Sequence, residues 1–66
     1  MLKTAQVVHD GRVYHAIVRD GQLEIYRDGV YLCGGPWKGC VIHGRGKAPE
    51  SVWEELDRLL NEQQDE

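Results

Sequence analysis

Residues 9–30 read HDGRVYHAIVRDGQLEIYRDGV and contain the pair Asp-Gly three times. Asp-Gly is a strong signal for a two-residue hairpin, because a type I′ turn needs positive φ at both positions. The segments between the pairs are rich in Val, Ile, Tyr and Leu, which favour strands. The sequence therefore predicts a β-meander with strands at about 3–9, 12–19, 22–27 and 30–33.

The rest of the chain adds a fifth short strand at about 40–43 and a helix from about 49 to about 63. Pro49 suits a first helical position, although a capping box formed by Ser51 and Glu54 is an alternative start. Val52, Trp53, Leu56, Leu59 and Leu60 form one apolar stripe along this helix. Residues 64–66 are expected to be frayed. The prediction is one α+β domain, residues 1–66, with a four- to five-stranded antiparallel meander and the helix packed on one sheet face.

Two-residue turns fix the register, pairing His9 with Arg12, Arg19 with Gln22 and Arg27 with Val30. Cross-strand partners share a face, so the side chains divide into two sets. The predicted core face holds Ala5, Val7, Tyr14, Ala16, Val18, Leu23, Ile25, Val30 and Leu32. The predicted second face holds Thr4, Gln6, Val8, Val13, His15, Ile17, Glu24, Tyr26, Tyr31 and Cys33.

Length, composition and charge favour a small cytoplasmic protein that binds a partner over a membrane or secreted protein. A chain of 66 residues has little core, so self-association or partner binding is expected. No apolar run is long enough for a membrane span and the N-terminus lacks a signal peptide, which predicts a cytoplasmic protein. Residues 1–49 carry seven Lys and Arg against four acids, a net of +3, and residues 50–66 carry one Arg against seven acids, a net of −6. The body is mildly basic and the C-terminal part is acidic.

The spacing of the cysteines and histidines gives weak support for a metal site or a catalytic thiol. Cys33, Cys40 and His43, with His9 or His15 as a fourth ligand, have zinc-ligating atoms, but the spacing Cys-x6-Cys-x2-His lacks the usual Cys-x2–4-Cys knuckle. A cysteine nucleophile needs an oriented base, which the pattern does not supply. We therefore expect no enzymatic activity, no metal and no cofactor. In a reducing cytosol the two cysteines are expected to be free thiols, and a cross-strand disulfide between Cys33 and Cys40 is the alternative for an oxidised pair.

Two surfaces are predicted to contact a partner. The first is the second face, where Tyr26 and Tyr31 are cross-strand partners and His15 lies beside Tyr26. A small monomer rarely leaves so much apolar and aromatic area exposed, so either a second copy or another protein is expected to cover it. The second surface is the loop that carries Trp37 and Lys38. Trp37 either folds back on the sheet or is an exposed anchor.

Nucleic-acid binding is the rival use of the same residues. Tyr14, Tyr26, Tyr31 and Trp37 are able to stack on bases. The cations available for phosphate are Arg12, Arg19, Arg27, Lys38, Arg45 and Lys47. The acidic helix would repel a polyanion, and the body is less basic than is usual for nucleic-acid binders.

One passage resembles a known family. Residues 36–44, PWKGCVIHG, followed by residues 48–56, APESVWEEL, are similar to the strand-to-helix passage of HicB-type antitoxins. The three Asp-Gly turns are not part of that family's pattern, and no residue role carries over. The resemblance implies a small protein that acts by binding another protein.

These observations together predict a non-enzymatic protein-binding module that acts stoichiometrically, as an inhibitor or an antitoxin-like regulator of a larger protein. Small acidic proteins of this size are common among phage and mobile-element products, such as anti-CRISPR proteins. A homodimer is also expected.

Overall fold

The computed structural model describes residues 2–63, which form four strands followed by two helices. The strands lie in one antiparallel sheet in the order β1-β2-β3-β4. Their bounds are β1 Leu2–His9, β2 Arg12–Arg19, β3 Gln22–Arg27 and β4 Val30–Pro36. The helices are α1 Cys40–Gly44 and α2 Glu50–Glu62. The predicted α+β meander with a C-terminal helix is confirmed, and the predicted frayed segment 64–66 lies outside the described residues.

Each Asp-Gly pair forms the turn that the sequence predicts. Asp10, Asp20 and Asp28 have φ between 52° and 54°, and the glycine after each has φ between 75° and 83°. Positive φ at both central residues defines a type I′ turn, whose twist matches that of the two strands it joins. The three predicted turn pairings, from His9–Arg12 to Arg27–Val30, are all present.

The hydrophobic core lies between the sheet and the two helices. Trp53 of α2 is fully buried and meets the Tyr14 ring edge-on, with the ring centroids 5.6 Å apart. Gly44 at the end of α1 leaves room for this indole, because a Cβ there would overlap the ring. The buried residues are Ala5, Tyr14, Ala16, Val18, Leu23, Ile25, Cys40, Val52, Trp53, Leu56 and Leu60. The predicted core face and helix stripe therefore supply almost the whole core.

A β-bulge in β4 corrects the predicted faces. Tyr26 pairs with Tyr31, but the preceding residue, Ile25, pairs with Cys33, so Leu32 is an extra residue on β4. One extra residue exchanges the faces beyond it. Cys33 was predicted on the second face; instead it packs against the core, as does Leu32. Val30 has core-side register but is 70% exposed, because it lines an open groove at the edge of the sheet.

The predicted fifth strand, residues 40–43, is wrong, because this segment is the short helix α1. β4 instead continues through Gly34 and Gly35 to Pro36. The carboxylate of Asp57 on α2 accepts the backbone N–H of Cys40 at 2.6 Å and that of Val41 at 3.4 Å. A side chain 17 positions away thus satisfies the first N–H groups of the helix. The strand propensity of residues 40–43 carries no information about this distant contact.

Helix α2 begins one residue later and ends one residue earlier than predicted. Pro49 occupies the N-cap position, and no side chain caps the first turn, so the alternative capping box of Ser51 and Glu54 does not form. At the other end, the side-chain amide of Gln63 pairs with the backbone of Thr4 on β1. This contact ties the C-terminal end of the helix to the edge of the sheet.

Candidate interaction face of the sheet

The side of the sheet that faces away from both helices is called here the open face. It is the predicted second face without Cys33, extended to the ends of the strands. Its members by register are Leu2, Thr4, Gln6, Val8, Val13, His15, Ile17, Arg19, Gln22, Glu24, Tyr26, Tyr31, Gly34 and Pro36. Since both helices pack on the other side, nothing in residues 2–63 covers this face.

Tyr26 and Tyr31 lie on the open face as direct cross-strand partners. Their rings meet edge-on, with centroids 5.8 Å apart and planes at 81°. The Tyr26 hydroxyl donates a hydrogen bond to Glu24 Oε1 at 2.8 Å, and this bond raises the pKa of Tyr26. Tyr31 is 57% exposed, and its hydroxyl lies beside Gly34, where a Cβ would be 3.1 Å from it. Both rings are therefore held in place, and one remains available to a partner.

His15 occupies the next position in the same cross-strand row. It pairs with Tyr26 on one side and with Gln6 on the other, as predicted. Its side chain is half-buried. The structure thus brings three of the predicted contact residues, His15, Tyr26 and Tyr31, into one row of neighbours.

Aliphatic side chains extend the open face on both sides of this row. Val8 and Leu2 on β1 are 65% and 62% exposed, and Val13 and Ile17 on β2 are half-buried. Contiguous apolar area of this kind on a small protein marks an interaction site more often than an idle surface. Leu2 was not among the predicted face residues, although the alternation along β1 includes it.

The charges are distributed unevenly between the two sides of the molecule. Arg19 and Glu24 are the charged side chains of the open face as the register defines it. The outer surface of α2 is acidic, and there Arg58 donates to Glu55 at 2.9 Å and to Glu62 at 2.7 Å. The open face is therefore close to neutral, while the helix layer carries most of the negative charge.

The structure separates Trp37 and Lys38 from the tyrosine pair. Trp37 is half-buried and packs against the core, and its backbone N–H donates to the carbonyl of Gly21 at 2.9 Å. Trp37 and Lys38 line an open groove of about 290 Å³ together with Gly39, Asp57 and Asn61. Of the two predicted arrangements, Trp37 folded back on the protein is the one observed, and it lies on the helix side.

The basic residues do not form a patch on the open face. Arg12 forms a salt bridge with Asp28 at 3.2 Å, and Arg27 donates to the backbone carbonyl of Lys47 at 3.4 Å. By register both arginines belong to the helix side of the sheet, where they line a second open groove. Of the six cations considered for phosphate binding, the sheet register places only Arg19 on the open face.

The cysteines and His43 do not converge on a site. His43 lies on the helix α1 and not on the predicted strand 40–43, and its Nε2 is 2.8 Å from the carbonyl oxygen of Pro36. Both cysteines are free. Burial raises the pKa of each thiol, most strongly for Cys40, where the neighbouring Asp57 carboxylate adds to the effect. Within residues 2–63 no three His, Cys, Asp or Glu side chains are grouped so as to hold a metal ion.

No family model, curated protein or solved structure matches this chain. The resemblance to HicB-type antitoxins therefore gains no support, and the strand that it implies at residues 40–43 is a helix. Among the described residues, neither helix has the length and apolar character needed to cross a membrane.

Proposed function

We propose that this protein is a non-enzymatic protein-binding module that acts stoichiometrically through its open face. The observation that carries the proposal is the exposed, near-neutral sheet surface that contains the Tyr26–Tyr31 pair on β3 and β4. Tyrosine on such a surface supplies large contact area with few rotatable bonds, and aromatic residues are enriched where binding energy is concentrated. The rim residues Arg19, Gln22 and Thr4 supply polar groups around it.

A protein fits this surface better than a nucleic acid. Affinity for nucleic acid comes mainly from cations that neutralise phosphates, so a binding face needs several Lys or Arg side chains. Arg19 stands beside Glu24 on the open face, while Arg12 and Arg27 are engaged on the other side of the sheet. Apolar and aromatic side chains with a single arginine at their border favour a partner whose own surface is flat and largely apolar.

Covalent catalysis by the cysteines is disfavoured by their environment. A nucleophilic cysteine reacts as the thiolate, and burial with a nearby carboxylate opposes ionisation. The His43 ring contacts the Pro36 carbonyl. The arrangement is that of cysteines that serve packing.

A chain of this size that binds its partner stoichiometrically is best suited to act as an inhibitor or an antitoxin-like regulator. A domain with one contact face acts by covering a functional surface of a larger protein. A phage or mobile-element origin, of the anti-CRISPR kind, belongs to this proposal as the setting in which such proteins are common.

The test compares two single substitutions of exposed large side chains. Tyr31→Ala changes the open face, and Ile42→Ala changes the exposed surface of α1 on the opposite side, where Ile42 is 59% exposed. The protein is used as bait in its native cells, and the captured protein is purified and titrated against the wild type and both variants. We expect one-to-one binding that Tyr31→Ala weakens at least tenfold and Ile42→Ala leaves unchanged. Equal binding by all three proteins would refute the proposal.

A further inference from the structure

We infer that the open face also binds a second copy of this chain, forming a face-to-face dimer whose twofold axis runs along the strands between β2 and β3. This inference rests on the proposed function, because it assigns a partner to the same surface. The inference follows from the positions of the charges on the open face, from the features that disfavour two other surfaces, and from the size of the face.

The charge pattern of the open face is complementary to itself. Arg19 on β2 and Glu24 on β3 lie at the same end of the sheet, next to the Asp20–Gly21 turn. A twofold axis along the strands between β2 and β3 places β2 of one copy over β3 of the other and keeps each end of the sheet over the same end. Each Arg19 then lies over Gln22 of the other copy, and Glu24 of that copy is two residues further along the same strand, about 6.6 Å away.

The same operation matches the rest of the face. His15 lies over Tyr26 of the other copy, because the two residues are cross-strand partners within one chain. β1 lies over β4, so Gln6 faces Tyr31. An axis across the strands would instead place Arg19 over Val13 of the other copy and leave the charge without an opposite. The register therefore selects one dimer geometry, within the roughly 30° offset usual for packed sheets.

Two other surfaces are less open to a second copy. Pairing through the β1 edge needs the outward backbone groups of Thr4, and these are engaged by the Gln63 side chain. Pairing through the helix side would bring together two chain segments that each carry a net charge of −6. In the face-to-face dimer the helix layer of each copy lies on the outside. The two helix layers are about 30 Å apart, since each layer is about 10 Å thick. That distance is several times the Debye length of about 8 Å at physiological salt, so the repulsion is screened.

The size of the face is that of a weak, reversible interface. Four strands spaced about 4.8 Å apart, each presenting about seven residues at about 3.3 Å, cover roughly 450 Å² in projection. Two such faces bury an area near the lower limit for specific interfaces, about 1,200 Å² in total once side-chain relief is added. The dimer is therefore expected to dissociate in the micromolar range and to exchange for a partner protein that binds the same face more tightly.

The first experiment measures association of the full chain by sedimentation equilibrium from micromolar to millimolar concentration. We expect a monomer–dimer equilibrium in which Tyr31→Ala raises the dissociation constant at least tenfold and Ile42→Ala leaves it unchanged. A chain that stays monomeric throughout, or a dimer indifferent to Tyr31→Ala, overturns the inference. Capture of a different protein that remains sensitive to Tyr31→Ala would still support the proposed function, so the two failures are distinguishable.

The second experiment tests the axis with charge reversals. Arg19→Glu and Glu24→Arg each place like charges at diagonal neighbouring positions across a homodimer, and each variant is expected to be monomeric at concentrations where the wild type is dimeric. When the two variants are mixed, the twofold arrangement sets both acids of one chain against both arginines of the other, and a heterodimer is expected. A change in intrachain stability is not rescued by mixing, and an equimolar mixture that remains monomeric overturns the proposed axis.

Discussion

The carboxylate of Asp57 on α2 accepts the backbone N–H of Cys40, the first residue of α1, at 2.6 Å. It also lies 3.4 Å from the N–H of Val41. One side chain thus joins the two helices and satisfies donors that a helix of five residues cannot satisfy internally. α1 depends on this contact, because a helix so short has little stability of its own.

Replacing Asp57 with Ala is therefore expected to destabilise the fold by about 1 kcal/mol, the usual cost of losing a helix cap. The free energy of unfolding from urea titration measures the change. Glu54→Ala is the matched control, because Glu54 is an exposed carboxylate on the same helix and its removal should change stability little. Equal effects of the two substitutions would show that the cap contributes nothing.

Removing the Gln63 side chain is expected to expose the β1 edge. The amide of Gln63 donates to the Thr4 carbonyl and accepts the Thr4 N–H, as a residue of a neighbouring strand would. In Gln63→Ala the Thr4 amide should exchange with solvent deuterium at least several-fold faster, while amides of the central strands are unaffected. The measurement is hydrogen exchange by NMR, with Asn61→Ala as the control. Unchanged exchange at Thr4 would show that the side chain does not protect it.

Gly44 is expected to tolerate no side chain. A Cβ at this position would overlap three atoms of the Trp53 ring, and the ring is fully buried. Gly44→Ala must therefore displace either the indole or α1, at a cost of about 1–3 kcal/mol for overpacking. Thermal and urea unfolding measure this change in the free energy of unfolding. Gly46→Ala is the comparison, because a Cβ at this position would have no atom within 4 Å. The destabilisation by Gly46→Ala therefore comes from positive φ alone. A Gly44→Ala variant as stable as the wild type would contradict the packing described here.

Stability is expected to fall at alkaline pH through Cys40. Burial, with the adjacent Asp57, raises the pKa of this thiol above its ordinary value of 9.0, so the folded state keeps a proton that the unfolded state loses. The contribution is fully present below pH 9 and is lost as the pH rises through the raised pKa. Urea unfolding between about pH 7 and about pH 10.5 should show this decline, and Cys40→Ala should flatten it more than Cys33→Ala. Parallel profiles for all three proteins would exclude Cys40 as the cause.

The sheet could be predicted from the sequence because its determinants are local. An Asp-Gly pair specifies a type I′ turn within four residues, and a two-residue turn then fixes the pairing of every residue in the two strands it joins. The row of Gln6, His15, Tyr26 and Tyr31 follows from that arithmetic, and so does most of the core face. The position of the candidate contact face is therefore encoded by the turns and the strand alternation alone.

The errors arose where distant residues determine the local conformation. Cys40 and its neighbours have the composition of a strand, yet Asp57 supplies the cap that makes them helical. The bulge at Leu32 has no local sequence signal, because it depends on how β4 meets β3 and the core. The sequence around Trp37, with glycines two residues away on either side, gives no indication of which side of the sheet it packs on. Each of these three features depends on tertiary contacts, and residue propensities carry no information about such contacts.

The meander also has a consequence for how the chain folds during synthesis. Each strand pairs with its sequence neighbour, so the hairpins close short loops and can form early, with low contact order. The contact that ties the end of α2 to β1 joins Thr4 to Gln63, 59 residues apart. Because translation proceeds from the N-terminus, all four strands leave the ribosome before α2, the last described element. Until α2 arrives, the sheet exposes apolar side chains on both sides, and aggregation competes with folding during that interval.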